Sequence, residues 1–207
     1  MIAIIDYGVG NLFSLASSFS YIGEEACVTS DAETIAKADR LILPGVGAFG
    51  DAARKLRESG LDRVLLDEVA KGKPLLGICL GMQLLFEKSY EYGEHCGLGL
   101  IRGSVKPIRG VIPDDLKVPH IGWNALSFGE NKNPLFRYLK EGDYVYFVHS
   151  YAGMDCADSV IATTEYGQPL TAAVADKNVF GTQFHPEKSG RVGLAILRAF
   201  CEIEPLI

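Results

Sequence analysis

The sequence predicts an α/β fold: a three-layer, doubly wound and mostly parallel central sheet, with a smaller antiparallel sheet in the second half. In the first half, short apolar runs alternate with helical stretches, which is typical of a parallel sheet with helices on both faces. In the second half, strand-like segments follow one another with few helices between them, which favours antiparallel hairpins. Because no repeat, low-complexity segment or linker interrupts the chain, we expect a single domain over residues 1–207.

The first half supplies four strands and the helices between them. Short apolar runs that stop at Gly, Pro or polar residues predict strands at Ile2–Ile5, 25–29, Arg40–Leu43 and Leu75–Ile78. The intervening composition predicts a helix at Leu12–Tyr21 with Asn11 as a cap, and a short helix capped by Ser30 or Asp31. A helical stretch is expected after Gly47 to near Ala70, with a break near Ser59-Gly60, and another at 82–88.

The second half is richer in strands. Apolar and β-branched runs predict strands at 100–105, 121–128, Tyr144–His149, 159–165, 171–176 and 179–184. Lys177-Asn178 has the composition of a hairpin turn between the last two. A short helix is expected at 134–139, and an amphipathic helix over 192–202 follows the last strand.

Charge and hydropathy exclude several classes of protein. The net charge is −6, so a broad basic surface for nucleic acid is not expected. The first residues lack the basic and apolar segments of a signal peptide, and no apolar stretch approaches the roughly 20 residues that span a bilayer. We therefore expect a cytoplasmic protein that binds neither nucleic acid nor membrane.

The cysteines predict no disulfide framework. There are five, an odd number, and none has the C-x-x-C spacing of a redox or zinc motif. We accordingly expect no metal site and no cofactor, with at most one reactive thiol in a reducing compartment.

One of these cysteines lies in a motif for nucleophilic chemistry. Gly77-Ile78-Cys79-Leu80-Gly81 stands between an apolar strand and a helix, the pattern of a sharp turn that presents its central side chain at the edge of a sheet. Amides and the positive end of the following helix stabilise a thiolate there. Since G-x-C-x-G is short, the motif alone is equally compatible with a buried structural cysteine.

A histidine and a carboxylate near the carboxyl end strengthen the catalytic interpretation. His185 and Glu187 flank Pro186, and residues two apart in an extended segment project to the same side. A carboxylate beside an imidazole fixes its tautomer and stabilises the imidazolium, so the ring can take a thiol proton and return it to a leaving amine. Alone, the pair is compatible with a surface turn; together with Cys79 it predicts cysteine acyl-transfer chemistry.

Acyl transfer also needs donors for a tetrahedral oxyanion. The backbone amide of Leu80, directly after the nucleophile, is one candidate. The second is expected in the glycine loop Pro44-Gly45-Val46-Gly47, at Val46 or Gly47, because this loop follows a neighbouring strand.

These motifs resemble those of the class I, triad-type glutamine amidotransferases. The resemblance rests on Gly77-Ile78-Cys79-Leu80-Gly81-Met82-Gln83 and Gln183-Phe184-His185-Pro186-Glu187, in that order along the chain. It implies a flavodoxin-like amidotransferase fold and hydrolysis of the glutamine side-chain amide through a γ-glutamyl thioester on Cys79. His185 and Glu187 complete the triad, and the ammonia passes to a synthase.

Four further segments resemble the glutaminase subunits of imidazole glycerol phosphate synthases, in histidine biosynthesis. They are Asp6–Leu12, Leu43–Phe49, Pro119–Asn124 and Tyr146–Tyr151. This resemblance implies a heterodimer with a cyclase subunit of (β/α)8 barrel fold. It also implies a glutamine pocket lined by Gly45, Gly47, Gln83, His149, Ser150 and Tyr151. The implied cyclase interface contains Asn11, His120, Trp123, Asn124, Tyr146 and Lys188.

Three alternatives remain at this point. The chain could serve anthranilate, aminodeoxychorismate or GMP synthesis as another amidotransferase of the class, although the Pro-Gly-Val-Gly and His-Ile-Gly-Trp-Asn segments argue against it. It could be a hydrolase of γ-glutamyl peptides or other amides. Or it could be a non-catalytic interaction module, which the intact Cys79, His185 and Glu187 disfavour.

Overall fold

Strands from both halves of the chain pair into one large sheet. The computed structural model describes residues 1–129 and 132–205; the expected domain over 1–207 thus includes four residues, 130–131 and 206–207, that lie outside the described part. The strands are β1 (Ile2–Ile5), β2 (Ala26–Thr29), β3 (Arg40–Leu43), β4 (Leu75–Ile78), β5 (Phe86–Ser89), β6 (His95–Cys96), β7 (Ile101–Pro107), β8 (His120–Ser127), β9 (Tyr144–His149), β10 (Tyr151–Met154), β11 (Val160–Glu165), β12 (Pro169–Asp176) and β13 (Val179–Thr182). The helices are α1 (Leu12–Tyr21), α2 (Ala32–Lys37), α3 (Phe49–Glu58), α4 (Leu61–Ala70), α5 (Leu80–Leu84) and α6 (Gly190–Cys201).

The large sheet is mixed. Within the described residues its order is β2-β1-β3-β4-β13-β12-β11-β8-β9. The strands from β2 to β13 are parallel, and every pair beyond β13 is antiparallel. The predicted α/β class is confirmed, but the mostly parallel arrangement applies only to the half built around β1, β3 and β4. The antiparallel hairpins expected in the second half extend this same sheet rather than forming a separate one.

The smaller sheet has the order β10-β7-β5-β6 among the described strands. It is not purely antiparallel, because β5 and β7 run parallel. The helix expected at 82–88 is wrong, because α5 ends at Leu84 and the first strand of this sheet, β5, begins at Phe86. The composition there suits a helix, but Phe86 is fully buried and pairs with Ile101, so tertiary pairing overrides local propensity.

Helices cover both faces of the large sheet, as expected for a doubly wound fold. On one face α3 and α4 bury Leu56 and Leu65 in a core shared with β1 and β3. On the other face α1 and α6 bury Phe19 and Phe200. Strands β1 and β4 are buried at every residue, which explains why they read as continuous apolar runs. No helix in the described part is long and apolar enough to cross a membrane.

Several local predictions are confirmed, and two more are wrong besides the helix at 82–88. Gly60 has φ of +71° and separates α3 from α4, as the expected break requires. Asp31 caps α2 by accepting a hydrogen bond from the Thr34 amide. In contrast, the Asn11 side chain makes no capping bond to α1. The short helix expected at 134–139 is a single 3₁₀ turn, Pro134–Phe136. The remaining boundaries differ by one or a few residues.

The turn between β12 and β13 is the hairpin expected at Lys177-Asn178. Asp176 pairs with Val179, and Lys177 adopts φ of +52°. The Asn178 side chain is buried and donates hydrogen bonds of 2.9 Å to the carbonyls of both Val69 and Lys73. This amide therefore ties the end of α4 to the strand that leads to the site described below.

Replacing Asn178 should destabilise the fold. In Asn178→Ala two buried carbonyls lose their donor, so the free energy of unfolding should fall by about 2–3 kcal/mol. Urea unfolding of the variant and the parent measures the difference. Lys177→Ala is the matched control, because that neighbouring side chain is exposed and should change the free energy by roughly 0.5 kcal/mol or less. Equal effects of the two substitutions would contradict this account.

Candidate active site

The turn from β4 into α5 holds Cys79 in a strained conformation. Its φ is +55° with ψ of −111°, a region that L-residues rarely adopt. A Cβ on Gly77 would lie 2.7 Å from the Gly81 carbonyl oxygen, and one on Gly81 would overlap the Leu43 carbonyl oxygen. Both glycines are therefore required by close backbone approach, as the nucleophile-elbow motif predicts.

A bond from the neighbouring strand holds this turn in place. The Cys79 amide donates to the carbonyl of Thr182, the last residue of β13, at 2.7 Å. The Cys79 carbonyl accepts from the Gln83 amide at 3.1 Å, which starts α5. The turn thus places Cys79 at the carboxyl edge of the sheet, beside the segment that carries His185.

His185 and Glu187 follow β13 directly. His185 Nδ1 lies 2.8 Å from Glu187 Oε1, and the two side chains are only 3% and 2% exposed. His185 is extended, but Glu187 lies within the 3₁₀ turn Pro186–Lys188, so the turn rather than a continued strand brings the carboxylate back to the ring. Ser189 Oγ donates to the His185 carbonyl at 2.6 Å and stabilises this turn.

The electrostatics of His185 depend on its two partners. Burial lowers the pKa of the imidazole, but hydrogen bonds with Cys79 and Glu187 outweigh it and raise the pKa to about 9. The ring therefore carries a proton at neutral pH. A protonated imidazole beside a cysteine is the arrangement in which a thiol acts as a nucleophile.

Cys79 and His185 border a cavity of about 440 Å³, while Glu187 lies behind His185 and outside the lining. Its described lining consists of Val46, Gly47, Cys79, Leu80, Gln83, Glu91, Pro119, Val148, His149, Ser150, Tyr151, His185 and Lys188. Five of the six residues expected to bind glutamine line it, and so do the three residues proposed to supply oxyanion donors. Gly45 is not part of this lining: a Cβ there would lie 2.8 Å from the Gly81 amide nitrogen, so its role is close packing beneath the elbow.

Two residues of the site were missed by sequence reasoning. Glu91 lines the cavity and accepts a hydrogen bond from the Phe49 amide at the start of α3. It lies in a loop of the smaller sheet, where no motif marks it. Gln183 is fully buried; its Oε1 accepts from Gln83 Nε2 at 3.0 Å, and its Nε2 lies 3.9 Å from the Cys79 sulfur. The signal for Gln183 was its place in the Gln-Phe-His-Pro-Glu motif.

The residues expected at a partner interface fall into two groups. Trp123 is 52% exposed and stacks edge-on with Tyr146 on the adjacent strand, at 6.0 Å between ring centroids. Asn124 and Asn11 are half-buried, and Lys188 is exposed and lines the cavity. The other group is His120 alone, which is fully buried and stacks on Tyr166 at 4.0 Å. The His120 side chain is therefore not accessible to a partner, and its place at the interface stays a prediction.

No metal site is evident in the described ranges. No three His, Cys, Asp or Glu side chains there are arranged to hold a metal ion. The five cysteines are all free thiols.

Comparison with known proteins agrees with this geometry. The model of the glutamine amidotransferase class-I family matches residues 3–203. The chain is 48% identical to the "Imidazole glycerol phosphate synthase subunit HisH" of Oceanobacillus iheyensis, over 98% of this chain and 99% of the relative. It is 52% identical to the subunit of the same name in Methanothermobacter thermautotrophicus, over 98% of each chain.

Solved structures share the fold at low identity. A crystal structure of a glutamine amidotransferase covers 98% of each chain with a TM-score of 0.75 at 20% identity. The structure of PurLQS from Thermotoga maritima gives the same score and identity over 97% of each chain. The elbow cysteine, the buried His–Glu pair and the match over nearly the whole length lead to one conclusion: the chain belongs to the class-I glutamine amidotransferase family.

Proposed function

We propose that this chain hydrolyses L-glutamine to L-glutamate and ammonia at Cys79, as the glutaminase subunit of an imidazole glycerol phosphate synthase. The proposed hydrolysis is supported by the cluster of Cys79, His185 and Glu187, whose first two members border a cavity of about 440 Å³. The proposed pathway is supported by sequence identity of 48% and 52%, over 98% of this chain, to subunits with that name.

The reaction proceeds in two acyl-transfer steps. The Cys79 thiolate, paired with the protonated His185, attacks the side-chain amide carbon of glutamine. Amides at Leu80 and at Val46 or Gly47 hold the oxyanion, and His185 protonates the departing nitrogen, so ammonia leaves and a γ-glutamyl thioester remains. His185 then takes a proton from water, hydroxide attacks the thioester carbon, and the sulfur departs as glutamate is released.

The cavity supports glutamine as the substrate. Glu91 is the one carboxylate that joins His185 and Cys79 in the described lining, and a carboxylate pairs with the α-ammonium group of an amino acid. Gln83, the segment from His149 to Tyr151 and Lys188 add further polar groups to the lining. We assign Glu91, Gln83, the segment from His149 to Tyr151 and Gly47 to substrate binding.

The ammonia passes to a cyclase subunit of (β/α)8 barrel fold. The exposed aromatic side chains of β8 and β9, with Asn11 and Lys188 near the catalytic edge of the sheet, support a docking surface there. The cyclase converts the ammonia and a ribonucleotide substrate to imidazole glycerol phosphate and aminoimidazole carboxamide ribonucleotide. On this proposal residues 1–207 act as one domain and form a heterodimer with the cyclase. The heterodimer works in the cytoplasm and binds neither nucleic acid nor membrane.

Cys79→Ala should abolish glutamine hydrolysis, because no thioester can form. The variant should still bind the cyclase, and the complex should still make imidazole glycerol phosphate when ammonium salts are supplied. Glutamate release and product formation are measured on the same complex. Cys156→Ala is the control, since this buried thiol lies outside the cavity lining. Residual glutaminase turnover in Cys79→Ala would refute the nucleophile assignment.

Glu187→Gln should lower the pKa of His185 from about 9 toward its ordinary 6.5, because the ring loses a carboxylate partner. Turnover should fall by about 10²–10⁴-fold. In the parent, the raised pKa of His185 adds to the free energy of unfolding. This contribution is fully present below pH 6.5 and is lost as the pH rises through about 9. Between pH 6.5 and about 9, the free energy of unfolding should therefore fall less in the variant than in the parent. NMR titration of the imidazole and urea unfolding at both limits measure these effects. An unchanged pKa would refute the coupling.

Trp123→Ala should weaken cyclase binding. An exposed aromatic anchor at an interface is worth about 2 kcal/mol, or roughly thirtyfold in Kd. Calorimetric titration of the cyclase measures the change. Tyr138→Ala is a matched control, because Tyr138 is 50% exposed but pairs with Glu202 near α6. If both variants bind like the parent, the β8–β9 face is not the docking surface.

A further inference from the structure

A chain of hydrogen bonds joins the surface of β8 to the cavity wall. Asn124 Oδ1 lies 2.9 Å from His120 Nε2, and His120 Nδ1 lies 2.9 Å from His149 Nε2. His149 Nδ1 lies 2.9 Å from the Tyr151 carbonyl oxygen, which also accepts from Gln83 Nε2 at 3.1 Å. The catalytic steps above use neither histidine, although both are buried.

Two neutral imidazoles carry too few N–H protons to satisfy every contact in this series of hydrogen bonds. The Tyr151 carbonyl only accepts, so His149 must carry its proton on Nδ1. A neutral His149 then accepts at Nε2, and His120 must donate from its own Nδ1. A neutral His120 is left with a lone pair on Nε2, and that lone pair faces the Asn124 oxygen, another acceptor.

Turning the Asn124 amide does not remove the mismatch. Asn124 Nδ2 donates to the Glu165 carbonyl at 3.0 Å. If the amide turned to donate to His120, its oxygen would face that carbonyl instead. With two neutral imidazoles one contact is always wrong, and a third proton on the pair would satisfy every contact.

Burial keeps the pair neutral. Burial lowers the pKa of His149 to about 4, and it also lowers the pKa of His120. The groups packed on His120 are the rings of Phe147 and Tyr166, with centroids 5.1 and 4.0 Å away. The charged cavity groups Glu91, His185 and Lys188 make no hydrogen bond to the pair among the described residues. Both rings are buried whereas Asn124 is half-buried, so the mismatch costs least at Asn124, next to Trp123 on the outer strands of the sheet.

We propose that Asn124, His120 and His149 form a positioning relay that sets the Tyr151 carbonyl, and through it the Gln83 amide, for glutamine binding. The relay rests on the glutaminase function proposed above. Both histidines carry their proton on Nδ1, and the unsatisfied end at Asn124 makes the relay responsive to a donor brought to β8 by a partner. His120 thus affects the cavity through His149 without touching substrate or partner.

The first test reads the tautomers directly. The chain has only four histidines, so long-range ¹⁵N–¹H spectra of the full chain at about pH 7.5 can assign each ring. His120 and His149 should both be Nδ1–H tautomers. In Asn124→Asp a carboxylate faces His120 Nε2, and one ring of the pair should become an imidazolium. An Nε2–H tautomer at either histidine in the parent, or no added proton in Asn124→Asp, overturns the relay.

The second test separates positioning from packing. His120→Phe keeps an aromatic ring between Phe147 and Tyr166 but breaks the chain, so the fold should persist by circular dichroism. In the complex with the cyclase, its KM for glutamine should rise about tenfold, the equivalent of one lost hydrogen bond, with a smaller change in kcat. Ser127→Ala, on the same strand with its hydroxyl bonded to Glu141, is the control and should keep the parental KM.

The two proposals fail in different ways. If the parent complex releases no glutamate from glutamine, the glutaminase function is wrong, and the tautomers alone decide whether the histidine chain is built as described. If the parent is active and His120→Phe keeps its KM, the relay is wrong and the glutaminase function stands. A folded variant with raised KM, together with the expected tautomers, supports both.

Discussion

The close approach of two backbone segments at the elbow is the constraint on which the rest of the site depends. Gly81 packs so tightly against the Leu43 carbonyl that no side chain fits, and Gly45, two residues after Leu43, packs against the Gly81 amide. This contact joins the ends of β3 and β4 and leaves Cys79 with a positive φ. The strain is tolerated because the surrounding buried strands determine the path of the chain. The reactive sulfur consequently has a fixed position at the edge of the sheet.

The mixed topology explains how residues a hundred positions apart meet at that sulfur. β13 comes from the end of the chain yet lies parallel to β4, with Gly181 opposite Gly77 and Thr182 opposite Ile78. His185 therefore emerges at the same edge as Cys79. The antiparallel strands beyond β13 turn back repeatedly, and β9 ends at His149, which lines the same cavity. A purely parallel sheet would not return so many short segments to one edge.

Two buried histidines that line the cavity, His185 and His149, have pKa values shifted in opposite directions. His185 has a thiol and a carboxylate as partners, and its pKa is raised to about 9. His149 has only a carbonyl and another histidine, and its pKa is lowered to about 4. Burial lowers the pKa of both rings, so the difference comes from the charge of their partners. One ring is thereby suited to hold a proton for chemistry, and the other to hold a neutral, directional hydrogen bond.

By itself the sequence determined the fold class, the strands β1, β3 and β4, and the elbow with its His–Glu pair. These features depend on local patterns: continuous apolar runs, obligatory glycines and two short motifs. The tertiary structure alone decided that the segment from Phe86 is a strand, that Gly45 packs beneath the cavity, that Glu91 lines it and that His120 is buried. Each of these outcomes depends on contacts between segments distant in sequence. The short Cys79 motif was ambiguous for the same reason, because only the pairing of β4 with β13 brings His185 and Glu187 to its side.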